Sequence, residues 1–278
     1  MTPLEIRITS RDGHVSPLRL HAADVPGAGV FWLPALGVPA AKYDAFSAAL
    51  AGQGVACAVH EWRGNGGSSL RARRGVDWGY RELLEQDLAA SVAALDPTRR
   101  WFFGGHSLGG QLAAMAATRA PECKGLILLA TGVPHSRFYP GRQGWGISLF
   151  AHALPLLTRA AGYYPGENLG FAGREAGQLM RDWAATVRSG RYGHYEGEHA
   201  MESALARLEL PVLGLRLTHD WLVPEASLTA LLAKLGAGKH ETEVFDDARL
   251  GTTADHFRWM RQPKALADRI AGWVRASP

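Results

Sequence analysis

The chain opens on an alternating pattern. Leu4-Glu5-Ile6-Arg7-Ile8 and Leu18-Arg19-Leu20 put apolar and polar residues in turn, around the turn signal Asp12-Gly13. Alternation at period 2 predicts half-buried strands, here an antiparallel hairpin at a sheet edge. The pattern then changes. Val30-Phe31-Trp32-Leu33, Val55-Ala56-Cys57-Ala58-Val59, Trp101-Phe102-Phe103 and Leu126-Ile127-Leu128-Leu129 are continuously apolar. Such runs predict interior strands covered on both faces. Pro211-Val212-Leu213-Gly214-Leu215-Arg216-Leu217 and Glu241-Thr242-Glu243-Val244-Phe245 read as two further strands.

Helical spacing fills the gaps between these runs. Tyr43, Phe46 and Leu50 mark a helix over 40–51, and Leu84, Leu88, Val92 and Leu95 one over 80–95. A helix-forming run starts at Gln111. Pro224 and Pro263 each open another, with Leu228 and Leu231 inward in the first and Leu266 and Ile270 in the second. Strands alternating with helices predict an α/β fold with a mostly parallel central sheet flanked by helices.

The alternation stops between 134 and 208. No strand is predicted there, aromatic residues are frequent from Phe138 to Tyr195, and one helix is expected over 175–187. The expected organisation is a core of 1–133 and 209–278 with a mostly helical cap, 134–208, inserted into it.

Composition narrows the class. The 278 residues are 47% hydrophobic and 20% charged, enough to bury a sizeable core. The net charge is +4. The arginines are scattered, apart from Arg71, Arg73 and Arg74, which read as a solvated loop. No nucleic-acid-binding motif accompanies them, so nucleic acid is not an expected partner. Two cysteines, Cys57 and Cys123, are too few for a disulfide framework. The start of the chain shows no apolar leader, and a cytoplasmic location is expected. The apolar stretch 145–157 is too short to span a bilayer and holds His152 and Pro155. His194 and His199 lack the H-E-x-x-H spacing, so no metal is expected.

The chemistry centres on Gly105-His106-Ser107-Leu108-Gly109, a G-x-S-x-G between the Trp101–Phe103 run and a helix. Strand, tight turn and helix in ten residues make a nucleophile elbow. The glycines let strand and helix cross closely. The Leu108 amide lies at the helix N-terminus, where a developing oxyanion is favoured. A serine hydroxyl needs a base, and the base needs an orienting acid. In a parallel sheet such groups come from loops at the strand C-termini. Asp220 follows one strand and His256 the last. Asp246, Asp247 and Asp255 compete for the acid role. Asp220 is preferred because it ends a strand and is followed by a helix start at Pro224. Asp255 reads as a loop-stabilising carboxylate. His106 reads as a support of the elbow, and His60 and His219 as structural or loop residues.

The chain at this point resembles the α/β-hydrolase superfamily, in the capped esterase, monoglyceride lipase and serine-aminopeptidase-like branch. The order Ser107, Asp220, His256 is that family's order. Glu61-Trp62-Arg63-Gly64-Asn65-Gly66-Gly67-Ser68 resembles its D-x-R-G-x-G-x-S loop, with Glu61 in place of Asp. Asp220-Trp221-Leu222-Val223-Pro224 resembles its D-x-x-V-P acid loop. The usual His-Gly before the first oxyanion residue is Pro34-Ala35 here, and the residue before the histidine is Asp255 rather than Gly. The resemblance implies a catalytic triad of Ser107, Asp220 and His256, and an oxyanion hole formed by Leu36 and Leu108. It implies a serine hydrolase that cleaves a carboxylic ester or thioester of an apolar small-molecule acyl substrate, without metal or organic cofactor. An acyltransferase, an amide or C–C bond hydrolase, and a non-catalytic ligand-binding member of the fold remain open, because fold does not fix reaction.

Overall fold

The structure is a computed structural model that describes residues 2–24, 26–195 and 198–277. An eight-stranded sheet runs through it in the order β1-β2-β4-β3-β5-β6-β9-β10. The strands are β1 (Leu4–Thr9), β2 (Val15–His21), β3 (Ala28–Leu33), β4 (Ala56–His60), β5 (Arg100–His106) and β6 (Cys123–Leu129). After an interruption come β9 (Val212–Leu217) and β10 (His240–Phe245). The six strands from β4 to β10 pair in parallel, and the β1–β2 hairpin joins β4 antiparallel.

The continuously apolar runs are interior strands for a visible reason. Val30 and Trp32 of β3 enter one core with Phe102 of β5, while Phe31 and Leu33 enter the opposite core with Phe103. Successive side chains point to opposite faces, so a strand covered on both faces has no polar position. Helices α1 (Asp44–Ala51) and α11 (Lys264–Ala276) cover one face. The other face is covered by α2 (Tyr80–Glu82), α3 (Ala89–Ala93), α4 (Leu108–Ala117) and α9 (Glu225–Leu232). Helix α10 (Asp247–Leu250) is a single turn after β10.

Two predicted helices differ in detail. The 40–51 segment starts as a 3₁₀ turn over Ala40–Tyr43 before α1 begins. The 80–95 segment ends at Ala93, and between α2 and α3 it widens into a π-helix over Leu83–Leu88. Asp87 lies in that π segment, fully buried. The arginine trio is also more than a solvated loop. Arg71 donates to the carbonyls of Ser68 and Gly66, and Arg74 donates to the Ala160 carbonyl near the end of α5 (Gly141–Ala161).

Residues 134–208 lie between β6 and β9 and add no strand to the main sheet. They hold α5, α6 (Gly166–Leu169), α7 (Gly177–Ser189) and α8 (Glu198–Ala206). Helices α5 and α7 share their own small core of Ala151, Leu154, Tyr164, Met180, Ala184 and Val187. Against the expectation of no strand, β7 (Tyr164–Pro165) pairs antiparallel with β8 (Arg174–Glu175). Two-residue strands are too short to show a period. The helix expected from 175 therefore begins at Gly177, and Glu175 sits in β8 instead. Asp182 of α7 accepts from the Tyr80 amide at 2.8 Å, capping α2 and tying this segment to the core. Among the described residues, no helix is long and apolar enough to cross a membrane. Cys57 and Cys123 are both buried and free.

Candidate active site

Ser107 stands at the junction of β5 and α4 with φ 56° and ψ −122°. This conformation is costly for a residue with a Cβ, so its surroundings must enforce it. Its amide donates to the Leu129 carbonyl at 3.1 Å, and its carbonyl accepts from the Thr131 hydroxyl. The flanking glycines are needed. A Cβ on Gly105 would lie 2.3 Å from the Gly109 carbonyl carbon, and one on Gly109 would lie 2.0 Å from the Leu33 carbonyl oxygen. Strand β5, helix α4 and the end of β3 are thus in backbone contact.

That contact sets Pro34-Ala35-Leu36 beside the elbow. Three side chains hold this loop. The Ala35 amide donates to the Tyr43 hydroxyl at 2.9 Å. The Trp62 indole donates to the Pro34 carbonyl at 2.9 Å. Glu61 accepts from the Ala40 amide at 3.1 Å. The Tyr43 hydroxyl, having accepted from Ala35, donates to His106 Nδ1 at 2.9 Å. His106 is fully buried, and burial followed by the neighbouring His256 ring pushes its pKa well below the ordinary value. It is therefore neutral with its proton on Nε2, a support for the elbow and for the Ala35 loop together.

Asp220 and His256 come from loops after β9 and β10. The His219 amide donates to the Ala254 carbonyl at 2.9 Å, which joins the two loops. His256 Nδ1 donates to Asp220 Oδ2 at 2.7 Å, and Asp220 Oδ1 accepts from the Leu222 amide at 2.9 Å. Both residues are buried. The other aspartates are committed elsewhere. Asp246 caps α10 by accepting from the Arg249 amide. Asp247 accepts from the Ala254 amide, and Asp255 from the amides of Phe257 and Arg258. His219 is exposed and lies 3.4 Å from Asp247. His60 is buried against Ser91, and burial lowers its pKa to about 4.

Ser107, His256, Leu36 and Leu108 line one cavity of about 970 Å³; Asp220 lies behind His256. Its walls are mostly apolar. Ile147, Phe150, Phe171 and Trp183 come from the 134–208 segment, and Trp221 and Phe257 from the loops of Asp220 and His256. Gln111, one helical turn after Ser107, adds a carboxamide whose oxygen is buried without a hydrogen-bond partner. Such a volume suits a small-molecule ligand of considerable size. Among the described residues, no group of three or more His, Cys, Asp or Glu could hold a metal ion.

Three of these supports are not legible in the sequence. Tyr43 carried a core signal only, and Thr131 and Trp62 carried none. Their roles come from contacts across the fold, 63 positions apart for Tyr43 and His106.

Comparisons agree with this fold. The family model of serine aminopeptidase, S33, matches residues 25–249. Among solved structures, DcsB in complex with its substrate analogue is similar with a TM-score of 0.70 at 15% identity, covering 99% of each chain. The monoacylglycerol lipase of Paleococcus ferrophilus is similar with a TM-score of 0.65 at 17% identity, covering 93% of this chain and 98% of that one. An esterase domain from a Rhodothermus marinus protein gives a TM-score of 0.65 at 17% identity, over 100% of this chain and 99% of that one. No curated protein matches the chain in sequence.

Proposed function

Because the chain belongs to the S33 serine aminopeptidase family, within the α/β-hydrolases, we propose that it is a serine hydrolase cleaving carboxylic esters or thioesters of apolar acyl groups. One observation carries the reading: a histidine oriented by a buried aspartate shares a cavity with a serine held in a strained elbow.

The chemistry follows from the geometry. With its Nδ1 proton donated to Asp220, His256 presents an unprotonated Nε2 as base. Ser107 Oγ attacks the acyl carbon as Nε2 takes its proton. The carbonyl π electrons move to oxygen, and the oxyanion is received by the amides of Leu108 and Leu36. The Ala35 amide is already used by Tyr43, so Leu36 supplies the next donor in that loop. Collapse of the intermediate breaks the bond to the alcohol or thiol, which takes the proton from His256. Water then attacks the acyl-enzyme with His256 again as base, releasing the acid and restoring Ser107. No step calls for a metal or organic cofactor. Residues 134–208 act as a cap that supplies the apolar acyl wall.

A fluorophosphonate probe with peptide mapping tests the core of this reading. Labelling confined to Ser107 and abolished in Ser107→Ala is expected; folded protein that stays unlabelled overturns it and favours a ligand-binding member of the fold. A panel of esters and thioesters with product analysis then separates hydrolysis from transfer to another acceptor. Neutral apolar substrates should exceed small charged ones in kcat/KM; the reverse order would refute the apolar wall.

A further inference from the structure

Glu175 is a carboxyl group with no evident reason to be buried. It is 2% exposed, and its Oε1 has no hydrogen-bond partner. It stands on β8, in the hairpin that packs onto the Leu36 loop. The packing is tight: a Cβ on Gly37 would lie 2.5 Å from the Gly173 amide nitrogen. Ala172, the next residue of that hairpin, is held at φ 56°. Glu175 lines a small cavity of about 10 Å³ together with Leu36, Gly37 and Leu108. Glu175 therefore shares the wall of one small cavity with the two residues whose amides are assigned to the oxyanion.

We propose that Glu175 is a positioning residue which, as a neutral acid, holds the oxyanion loop in its working form, and whose ionisation switches the enzyme off. The proposal rests on the serine-hydrolase reading. A buried carboxyl without a cationic partner stays protonated, because the charged form loses its hydration. Burial raises its pKa to about 8, against a smaller opposing effect of the Gly173 amide. Above that pH a buried anion would stand behind the oxyanion site, where it opposes the negative charge that forms in the transition state.

The groups facing Glu175 do not relieve it. Arg63 borders the same cavity, but its guanidinium is engaged by Asp87 and Asp12. Tyr164, on the paired strand, is buried with its hydroxyl unpartnered; burial, and after it the nearby Glu175, raises its pKa. Trp62, Asn65, Leu83 and Leu179 complete the wall without charge.

The test is the pH dependence of kcat with one neutral ester, from pH 6 to 10. The unmodified protein should show a descending limb centred near pH 8, approaching tenfold per pH unit. Glu175→Gln cannot ionise and should keep its pH 7 rate up to pH 10. It should also gain thermal stability over the unmodified protein, more at pH 8 than at pH 5, because the folded-state penalty of a raised carboxyl pKa grows from the unfolded value upward. Glu175→Met, apolar and similar in size, should likewise lose the limb and guards against misfolding of the first variant. A flat profile in the unmodified protein, or an unchanged limb in both variants, overturns the proposal. So does a uniform loss of kcat at every pH, which would mark a merely structural role. If the probe labels Ser107 while these outcomes fail, the switch falls and the hydrolase reading stands.

Discussion

Among the described residues are two serine–histidine–aspartate sets, and they differ in what surrounds them. In one, His14 lies 2.9 Å from the Ser68 hydroxyl and 3.1 Å from Asp87. In the other, His256 lies 2.7 Å from Asp220 and shares its cavity with Ser107. By polar connectivity alone, the first set is the more complete. Its chemistry is closed all the same. The Ser68 hydroxyl oxygen accepts from the Gly64 amide at 2.9 Å and the Leu70 amide at 3.2 Å, so both of its lone pairs are used. It sits in a buried loop and does not line the cavity that Ser107 and His256 share. Asp87 is spanned by Arg63, whose Nε and Nη2 each donate to one carboxylate oxygen. A carboxylate already neutralised has little left to stabilise a histidinium. A nucleophile needs an unused lone pair and a route for the substrate; the proposed nucleophile, Ser107, lines the large cavity, whereas the lone pairs of Ser68 are taken.

The largest test of this contrast is a pair of serine variants. Ser107→Ala should lower kcat by a factor on the order of 10⁶, as for loss of a protease nucleophile. The melting temperature should hardly move, since no core volume is removed. Ser68→Ala should leave kcat within about twofold and cost about 1–3 kcal/mol, because two buried amides lose their acceptor. Kinetics and thermal melts on both variants decide; an inactive, stable Ser68→Ala would reverse the assignment.

Next in size is the acid. Asp220→Asn should lower kcat by about 10⁴, because an amide donating to Nδ1 imposes the wrong histidine tautomer. Stability should change little. A loss below about tenfold would show that another group orients His256.

Asp87 should behave in the opposite way. Asp87→Asn removes one partner of a buried ion pair and should cost about 3–5 kcal/mol, with kcat of the folded fraction nearly unchanged. Its pH dependence has a definite sign. Burial raises the Asp87 pKa, but hydrogen bonds from Arg63, His14 and Ser10 outweigh it and hold the carboxyl well below the ordinary range. A depressed folded-state pKa stabilises above the unfolded value, about 4, and that stabilisation is lost as pH falls. The stability gap between the two proteins should be constant above pH 5 and narrow below pH 4. A gap that widens in acid would contradict the ion-pair account.

The two sets also differ in how far the sequence discloses them. Ser107 is legible because its whole environment is local: apolar run, turn and helix lie within ten residues. Asp220 and His256 are legible because each follows a strand, and parallel strands bring their C-terminal ends to one edge. The sheet itself is legible from apolar runs of the right length. Asp87 gave no signal. It occupies a position in a helix whose π-bulge is invisible to a 3.6-residue period. Glu175 reads in the sequence as the start of a helix, because a two-residue strand leaves no pattern. Tyr43 reads as core packing, and it is core, yet its hydroxyl joins the Ala35 loop to the end of β5. What the sequence hides is the contact made at long range by a side chain whose local role is ordinary.

The smallest expected effects belong to the three remaining aspartates near the base, and they sharpen the comparison most. Each makes the same kind of bond that Asp220 makes to the Leu222 amide, whereas the carboxylate bonded to His256 Nδ1 is that of Asp220. Asp246 caps α10, Asp247 holds the Ala254 amide at 2.7 Å, and Asp255 holds the Phe257 and Arg258 amides. Asp255 adjoins His256 in sequence, yet its carboxylate turns back onto the backbone beyond it. Each change to Asn should therefore act through the loop. Asp246→Asn should cost only about 0.3 kcal/mol, because asparagine still accepts from the Arg249 amide and keeps the cap. Asp247→Asn should be the most costly in kcat, about threefold, since Ala254 is the residue whose carbonyl receives the His219 amide and so ties the base loop to the acid loop. Asp255→Asn should stay within about twofold. Four variants, with Asp220→Asn as the reference, can be assayed at one pH with one ester. If Asp255→Asn matched Asp220→Asn in kcat, adjacency to the histidine would matter more than the bond to its Nδ1, and the contrast between the two serine–histidine–aspartate sets would lose its physical basis.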